Sequence, residues 1–559
     1  MFTKKVIDKI NSIKILHLIQ RRISASFSKL DILGLTLIVI SFIYFTFFIY
    51  LPENEKYYWL FPLGWDAPLY IFNARYIEYK GYFHTITDLE PRGSNLILAG
   101  FKYLTGDYDN AWHVVSLLAL LLAMIGIAAL YRECFGESSW GYLAGALLPY
   151  LLTTYYMFGG LFRQLIFFSL YPYSLLLIIR FLKNGTFRKL IYIICILFIE
   201  WWIWPWGFPL CIIALLIAGL LIYKTKEFLK IISISLVGII LYIIWYFCFL
   251  YLPTRPSPPP GILPSGVTRG IPFTFNEYVS KVANGSYIIL FMFISSFLIE
   301  IPNMVRSMLS LSLITKDNNL IISIKIRKPR KNNIDKYFLL LVTSIILIIV
   351  SPIFPFDEVA RRLSPFLVQS FWITHSLDFI ARKLRGHRTL KYFFVVFILT
   401  IVLLQLDPYN VPARTARTVW WRIWYYGDIK EFLSLLKEAY KEYSFVNMQP
   451  ILIIVPTKNV PRPDVTSCLY IRSFFINTIF IKAENYNELI TSISLMRTHY
   501  INPSSSLFHQ YCSLTVTPEL FSKYKMQILY LKPLFTPESN SSCYVKFNRD
   551  GYCLERLNP

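Results

Sequence analysis

Long apolar runs, separated by short basic segments, set the pattern of this chain. Stretches of ~17–25 apolar residues are long enough to cross a bilayer as helices. They lie near 32–51, 111–130, 141–158, 162–181, 190–205, 208–223, 229–251, 286–302, 337–353, 363–381 and 391–406. These runs predict a polytopic α-helical membrane protein with about eleven transmembrane helices. Pro205 and Pro209, around Gly207, break the pattern between the fifth and sixth runs. The prolines predict two spans there rather than one kinked helix. Trp201, Trp202, Trp204 and Trp206 are expected in the interfacial belt.

The pattern changes twice. The segment 52–110 is too long for a tight connection and carries two short helical patterns. Residues 67–80 place Leu69, Phe72, Ala74, Tyr76, Ile77 and Tyr79 on an apolar side. Asp66 is expected to cap this helix, with Pro68 in its first turn and Gly81 at its end. Such a helix is expected on the outer membrane surface. A second helix is expected near 94–104. After 406 the period changes again: 427–443 has a helical stripe, and 450–456, 477–483, 526–532 and 543–547 read as strands. The division expected is a transmembrane domain, 1–406, and an extracytoplasmic α/β domain, 407–559.

Composition agrees with lipid as solvent. The 559 residues are 55% hydrophobic and 16% charged, which leaves too little polar surface for a soluble chain with one core. The net charge of +23 would fit a nucleic-acid binder, but the bases cluster in short loops between apolar runs. Nucleic acid is therefore not an expected partner. Basic loops 182–189, 224–230, 303–336 and 382–391 are assigned to the cytoplasm, together with the N-terminus. The run 325–331, KIRKPRK, is an orientation signal that suits anionic lipid. A multi-pass protein of the plasma membrane is the expectation. Cys468, Cys512, Cys543 and Cys553 all fall in the tail, where an outside location permits disulfides with three possible pairings. No Walker, HExxH or CxxC pattern is present.

The first outer loop resembles that of the GT-C glycosyltransferases, membrane enzymes that use polyprenyl-phosphate sugars. The residues that carry the likeness are Gly64-Trp65-Asp66-Ala67-Pro68-Leu69-Tyr70, Ala74-Arg75-Tyr76-Ile77, Gly81, Pro91 and Leu104-Thr105-Gly106. The resemblance implies an acid in this loop at the active site, a lipid-linked sugar donor, and arginines at outer span ends for the phosphate. Asp66 is then the catalytic base or the ligand of a divalent metal (Mg or Mn). Arg75, Arg163, Gln164, Arg361 and Arg362 become candidates for the lipid phosphate. Asp88, Glu90, Glu277, Asp357 and Glu358 are possible accessory acids, with His84 beside the first two. Segment 155–164 holds no carboxylate and VWWRIWYYGD (419–428) has no Asp directly after its Trp pair, so single-sugar transfer is favoured over en bloc transfer. Each of these residues also has a plain role: Asp66 as a cap, the arginines as anchors to lipid headgroups. His375 and Asp378, on one helical face, read as structural. The alternatives from other classes are a transporter or flippase, and a non-catalytic membrane assembly protein.

Overall fold

The computed structural model describes residues 29–52, 67–80, 93–136, 140–152, 162–204, 208–245, 287–316, 319–326, 333–350 and 369–383, four strands of the tail, and positions 157 and 396. Twelve helices appear among them. α1, Lys29–Phe45, continues as a π turn through Thr46–Tyr50. α2 is Ala67–Lys80, α3 Gly93–Thr105, α4 Tyr108–Phe135 and α5 Trp140–Leu152. α6 is Phe162–Lys183, α7 Phe187–Ile203, α8 Phe208–Ile222 and α9 Thr225–Trp245. α10 is Tyr287–Met308, α11 Ile334–Val350 and α12 Gln369–Lys383. Four helical segments, Asp31–Tyr50, Tyr108–Phe135, Phe162–Lys183 and Thr225–Ile244, are long and apolar enough to cross a membrane. Exposed Ile32, Leu33, Phe47, Phe48, Leu220 and Ile240 suit lipid contact rather than water. The expected span 391–406 lies outside the described residues, apart from position 396.

Without a hydrophobic force between helices in lipid, close packing depends on small residues. Gly141 and Gly145, four apart on α5, meet the backbone of α4. A Cβ on Gly145 would stand 2.5 Å from the Met124 carbonyl oxygen, and one on Gly141 2.9 Å from that of Ala128. The close approach of α4 and α5 therefore requires glycine at both places.

Charged side chains collect at one end of the bundle. Arg132 reaches Asp31 at 2.8 Å, joining the end of α4 to the start of α1. Glu133 accepts from Arg180 (2.9 Å) and Lys183 (2.8 Å), and Lys183 also pairs with Asp335 at 2.6 Å. Glu300 of α10 meets Lys336 of α11 and His375 of α12, each at 2.7 Å. Asp378 pairs with Arg382. These are the helix ends that loop charge assigns to the cytoplasm, and His375 and Asp378 take part in ion pairs there. The break after α7 is also as expected. Trp204 leaves helical geometry at φ −143° and ψ 78°. α8 then returns, so that Tyr223 packs on Phe338 at the charged end, with ring centroids 5.2 Å apart.

Three features differ from the sequence reading. The segment 303–336 is not simply a basic loop. α10 runs on to Met308, and an antiparallel hairpin follows, β1 (Leu309–Lys316) and β2 (Asn319–Ile326). Trp201 and Trp204 are 7% and 0% exposed, packed within the bundle rather than turned out to lipid as belt residues usually are, and Trp206 lies outside the described residues. In the tail, β3 (Ile451–Pro456), β4 (Thr478–Ala483) and β5 (Gln527–Pro533) fall where expected. A further strand, β6 (Tyr552–Leu557), had not been expected. Sheet order is β4-β3-β5-β6, with β3 parallel to both neighbours and β6 antiparallel. The expected helix 427–443 and strand 543–547 lie outside the described residues.

Candidate functional site

At the opposite end of the bundle an aromatic cluster and a polar clasp hold the helices together. α2 buries Ala67, Tyr70, Ile71, Ala74 and Ile77, a one-faced helical stripe. Of the apolar side expected from sequence, Ala74 and Ile77 belong to it; the side chains of Leu69, Phe72, Tyr76 and Tyr79 lie outside those described. This helix is thus packed against α3 rather than only laid on a membrane surface. Tyr70 extends to Trp112 (6.0 Å between centroids) and Phe162 (5.9 Å), and the latter two stack at 4.4 Å. Three helices, α2, α4 and α6, are pinned by one aromatic cluster.

A polar clasp joins the same elements. Glu78 of α2 accepts from Lys102 Nζ of α3 and from the Tyr108 hydroxyl of α4, both at 2.5 Å. Burial pushes the Glu78 carboxyl up, but the Lys102 ammonium and the Tyr108 hydroxyl outweigh it. The net effect holds its pKa below the ordinary carboxylate value. Asp107 caps α4 by accepting from the Asn110 amide at 2.7 Å. Arg75 stands over the Tyr108 ring, 5.3 Å from its centroid.

Phe162, fully buried, fixes the first turn of α6 and therefore the next two residues. Arg163 Nε and Nη1 have no hydrogen-bond partner among the described residues, nor do Gln164 Oε1 and Nε2. Gln164 is 0% exposed. Buried polar atoms in folded proteins are nearly always satisfied, and leaving one unpaired costs ~1–3 kcal/mol. Similar atoms occur on the helices that touch α6 here. Ser94 Oγ and Asn95 Oδ1 stand in the first turn of α3, Glu200 Oε1 and Trp201 Nε1 in the last turn of α7, and Trp204 Nε1 at the residue that ends it. α3 meets both α6 and α7. A Cβ on Gly93 would lie 2.6 Å from the Trp202 ring, so α7 and α3 approach closely enough to require glycine. Trp204 stacks edge-on against Phe167 (5.2 Å) and Phe168 (5.9 Å), one turn beyond Arg163 and Gln164.

Of the expected site residues, Arg75, Arg163 and Gln164 are placed at this end. Asp66, Asp88, Glu90, Glu277, Asp357, Glu358, Arg361 and Arg362 lie outside the described residues, as does His84. Among the described residues no group of three or more His, Cys, Asp or Glu side chains could hold a metal. Sequence reasoning passed over Ser94, Asn95 and Glu200. A signal for Glu200 existed: a lone acid inside the apolar run 190–205.

No family model matches the chain, and no curated protein does. Among solved structures it is similar to the crystal structure of ArnT from Cupriavidus metallidurans bound to undecaprenyl phosphate. Identity is 10%, 94% of this chain and 97% of that chain are covered, and the TM-score is 0.44.

Proposed function

We propose that this protein is a membrane glycosyltransferase that moves one sugar from a polyprenyl-phosphate donor to an acceptor hydroxyl. The observation that carries the reading is the Arg163 guanidinium, with two buried nitrogens lacking a partner among the described residues, beside the fully buried Gln164. A cation held this way favours an anion. Its place at the end of an apolar helix, beneath two loop helices, suits the phosphate of a lipid carrier. The first-loop residues that resemble the GT-C pattern supply the rest of the reading.

In the reaction, the acceptor oxygen forms a bond to the anomeric carbon of the sugar. The bond from that carbon to the phosphate oxygen breaks, and its electron pair leaves with polyprenyl phosphate. Arg163 stabilises the charge that develops there, aided by Arg361 or Arg362. Asp66 takes the acceptor proton, directly or while holding a divalent metal. The sugar, the carrier chain and the acceptor are set by contacts beyond these residues.

The test is sugar transfer by purified protein in lipid nanodiscs, with radiolabelled polyprenyl-phosphate mannose, glucose and arabinose offered in turn. Asp66→Asn and Arg163→Gln are each expected to lower kcat by about a hundredfold or more. Full activity in both folded variants would overturn the reading.

A further inference from the structure

The last turn of α7 carries groups that a phosphate site does not use. Glu200 is 1% exposed in an apolar helix, and it makes no ion pair among the described residues. Its polar neighbour is Ser174 of α6. An ionisable side chain at such a depth is costly and is a functional hypothesis by default. Within one helical turn stand one acceptor, Glu200 Oε1, and two indole donors, Trp201 Nε1 and Trp204 Nε1, all without partners among the described residues. Donors and an acceptor beside aromatic rings are the chemistry of a neutral polyol. An anion would be opposed by Glu200. A metal cation would be opposed by the indole N–H groups, which cannot ligate it.

We infer that Glu200, Trp201 and Trp204 form the seat of the donor's sugar ring, while Arg163 takes its phosphate. This rests on the transferase reading above. The spacing supports it. Glu200 lies beside Tyr171 and Ser174 of α6. Tyr171 is seven residues along the helix from Gln164, so about 10 Å at 1.5 Å per residue separates the two levels. A pyranosyl phosphate with a hydrogen bond at each end has a length of that order. Trp204, packed on Phe167 and Phe168, stands between the levels, and its indole N–H has no partner among the described residues.

The experiment measures binding to full-length protein in nanodiscs by native mass spectrometry. The probes are bare undecaprenyl phosphate and its mannosyl, glucosyl and arabinosyl derivatives. Wild type should bind at least one glycosylated lipid more tightly than the bare one. Glu200→Gln and Trp204→Phe should each weaken that lipid roughly tenfold and leave the bare lipid within about twofold. Arg163→Gln should weaken both. The inference is overturned if Glu200→Gln weakens bare and glycosylated lipids alike, if neither variant changes glycosylated binding, or if wild type prefers no sugar. If Glu200→Gln does not fold, Trp204→Phe alone decides. Loss of the transferase reading has its own signature: wild type binds no polyprenyl phosphate, or Arg163→Gln leaves bare-lipid binding intact.

Discussion

Consider Glu78→Ala, which removes the acceptor that holds α2 to α3 and α4. Two hydrogen bonds of 2.5 Å are lost, one from an ammonium and one from a phenol. A bond to a charged group contributes ~1.5–3 kcal/mol when shielded. Glu78 and Lys102 side chains are 31% and 27% exposed, so solvent screening reduces the ionic part toward ~0–1 kcal/mol. The sum is about 2 kcal/mol, and it acts locally, because α2 also keeps its aromatic anchor. Amide hydrogen exchange over 67–80 is the assay, and it should quicken by about 10- to 30-fold, with exchange in α4 and α6 unchanged. The pH dependence has a definite sign. The folded pKa of Glu78 is depressed, so its contribution is complete above the unfolded value. It is lost as pH falls through the folded value, below the usual carboxylate range. Wild-type exchange should approach that of Glu78→Ala at such acid pH. Unchanged exchange in the variant would refute the clasp, and so would strict additivity of Glu78→Ala and Lys102→Ala in a double-mutant cycle.

Other perturbations follow from the same physics. Glu300→Ala leaves the half-buried Lys336 and the buried His375 without their acid, and should cost about 3 kcal/mol, read as a lowered melting temperature in detergent. Gly145→Ala drives a methyl into the Met124 carbonyl and should lose ~1–3 kcal/mol, and Gly136→Ser, although it has open space, should lose a similar ~1–3 kcal/mol because φ 87° and ψ −178° suit glycine alone. Trp112→Ala removes the ring stacked on Phe162 and should cost ~3–5 kcal/mol, with a parallel loss of donor binding because Phe162 positions Arg163.

Much of the architecture was legible because lipid simplifies the code. A run of apolar residues admits few solutions, and α2 falls at 67–80 as its pattern and Pro68 predict. The hairpin 309–326 was obscured by its neighbours: Leu309, Leu311 and Leu313 alternate with Ser310 and Ser312, a period of two, but the bases around 325–331 drew the whole segment into a loop. The burial of Trp201 and Trp204 was not legible for a related reason, since tryptophan at a span end suits a headgroup as well as a packed core. Within the site, Arg163 was conspicuous as a cation in an apolar run. Ser94 and Asn95 were not, because their meaning depends on α6 and α7 coming alongside, and no local pattern encodes that meeting.

The two ends of the bundle are fastened by different means, and this bears on how it can move. One end is knotted by Glu133, Lys183, Asp335, Glu300, Lys336 and His375, whose geometry tolerates little displacement. The other is held by the Tyr70, Trp112 and Phe162 rings and by the part-exposed Glu78–Lys102 clasp. Helices bound like stems in a tied sheaf splay from the loose end. On the transferase reading proposed above, a bulky headgroup is expected to spread the aromatic end, with the knot as its fulcrum.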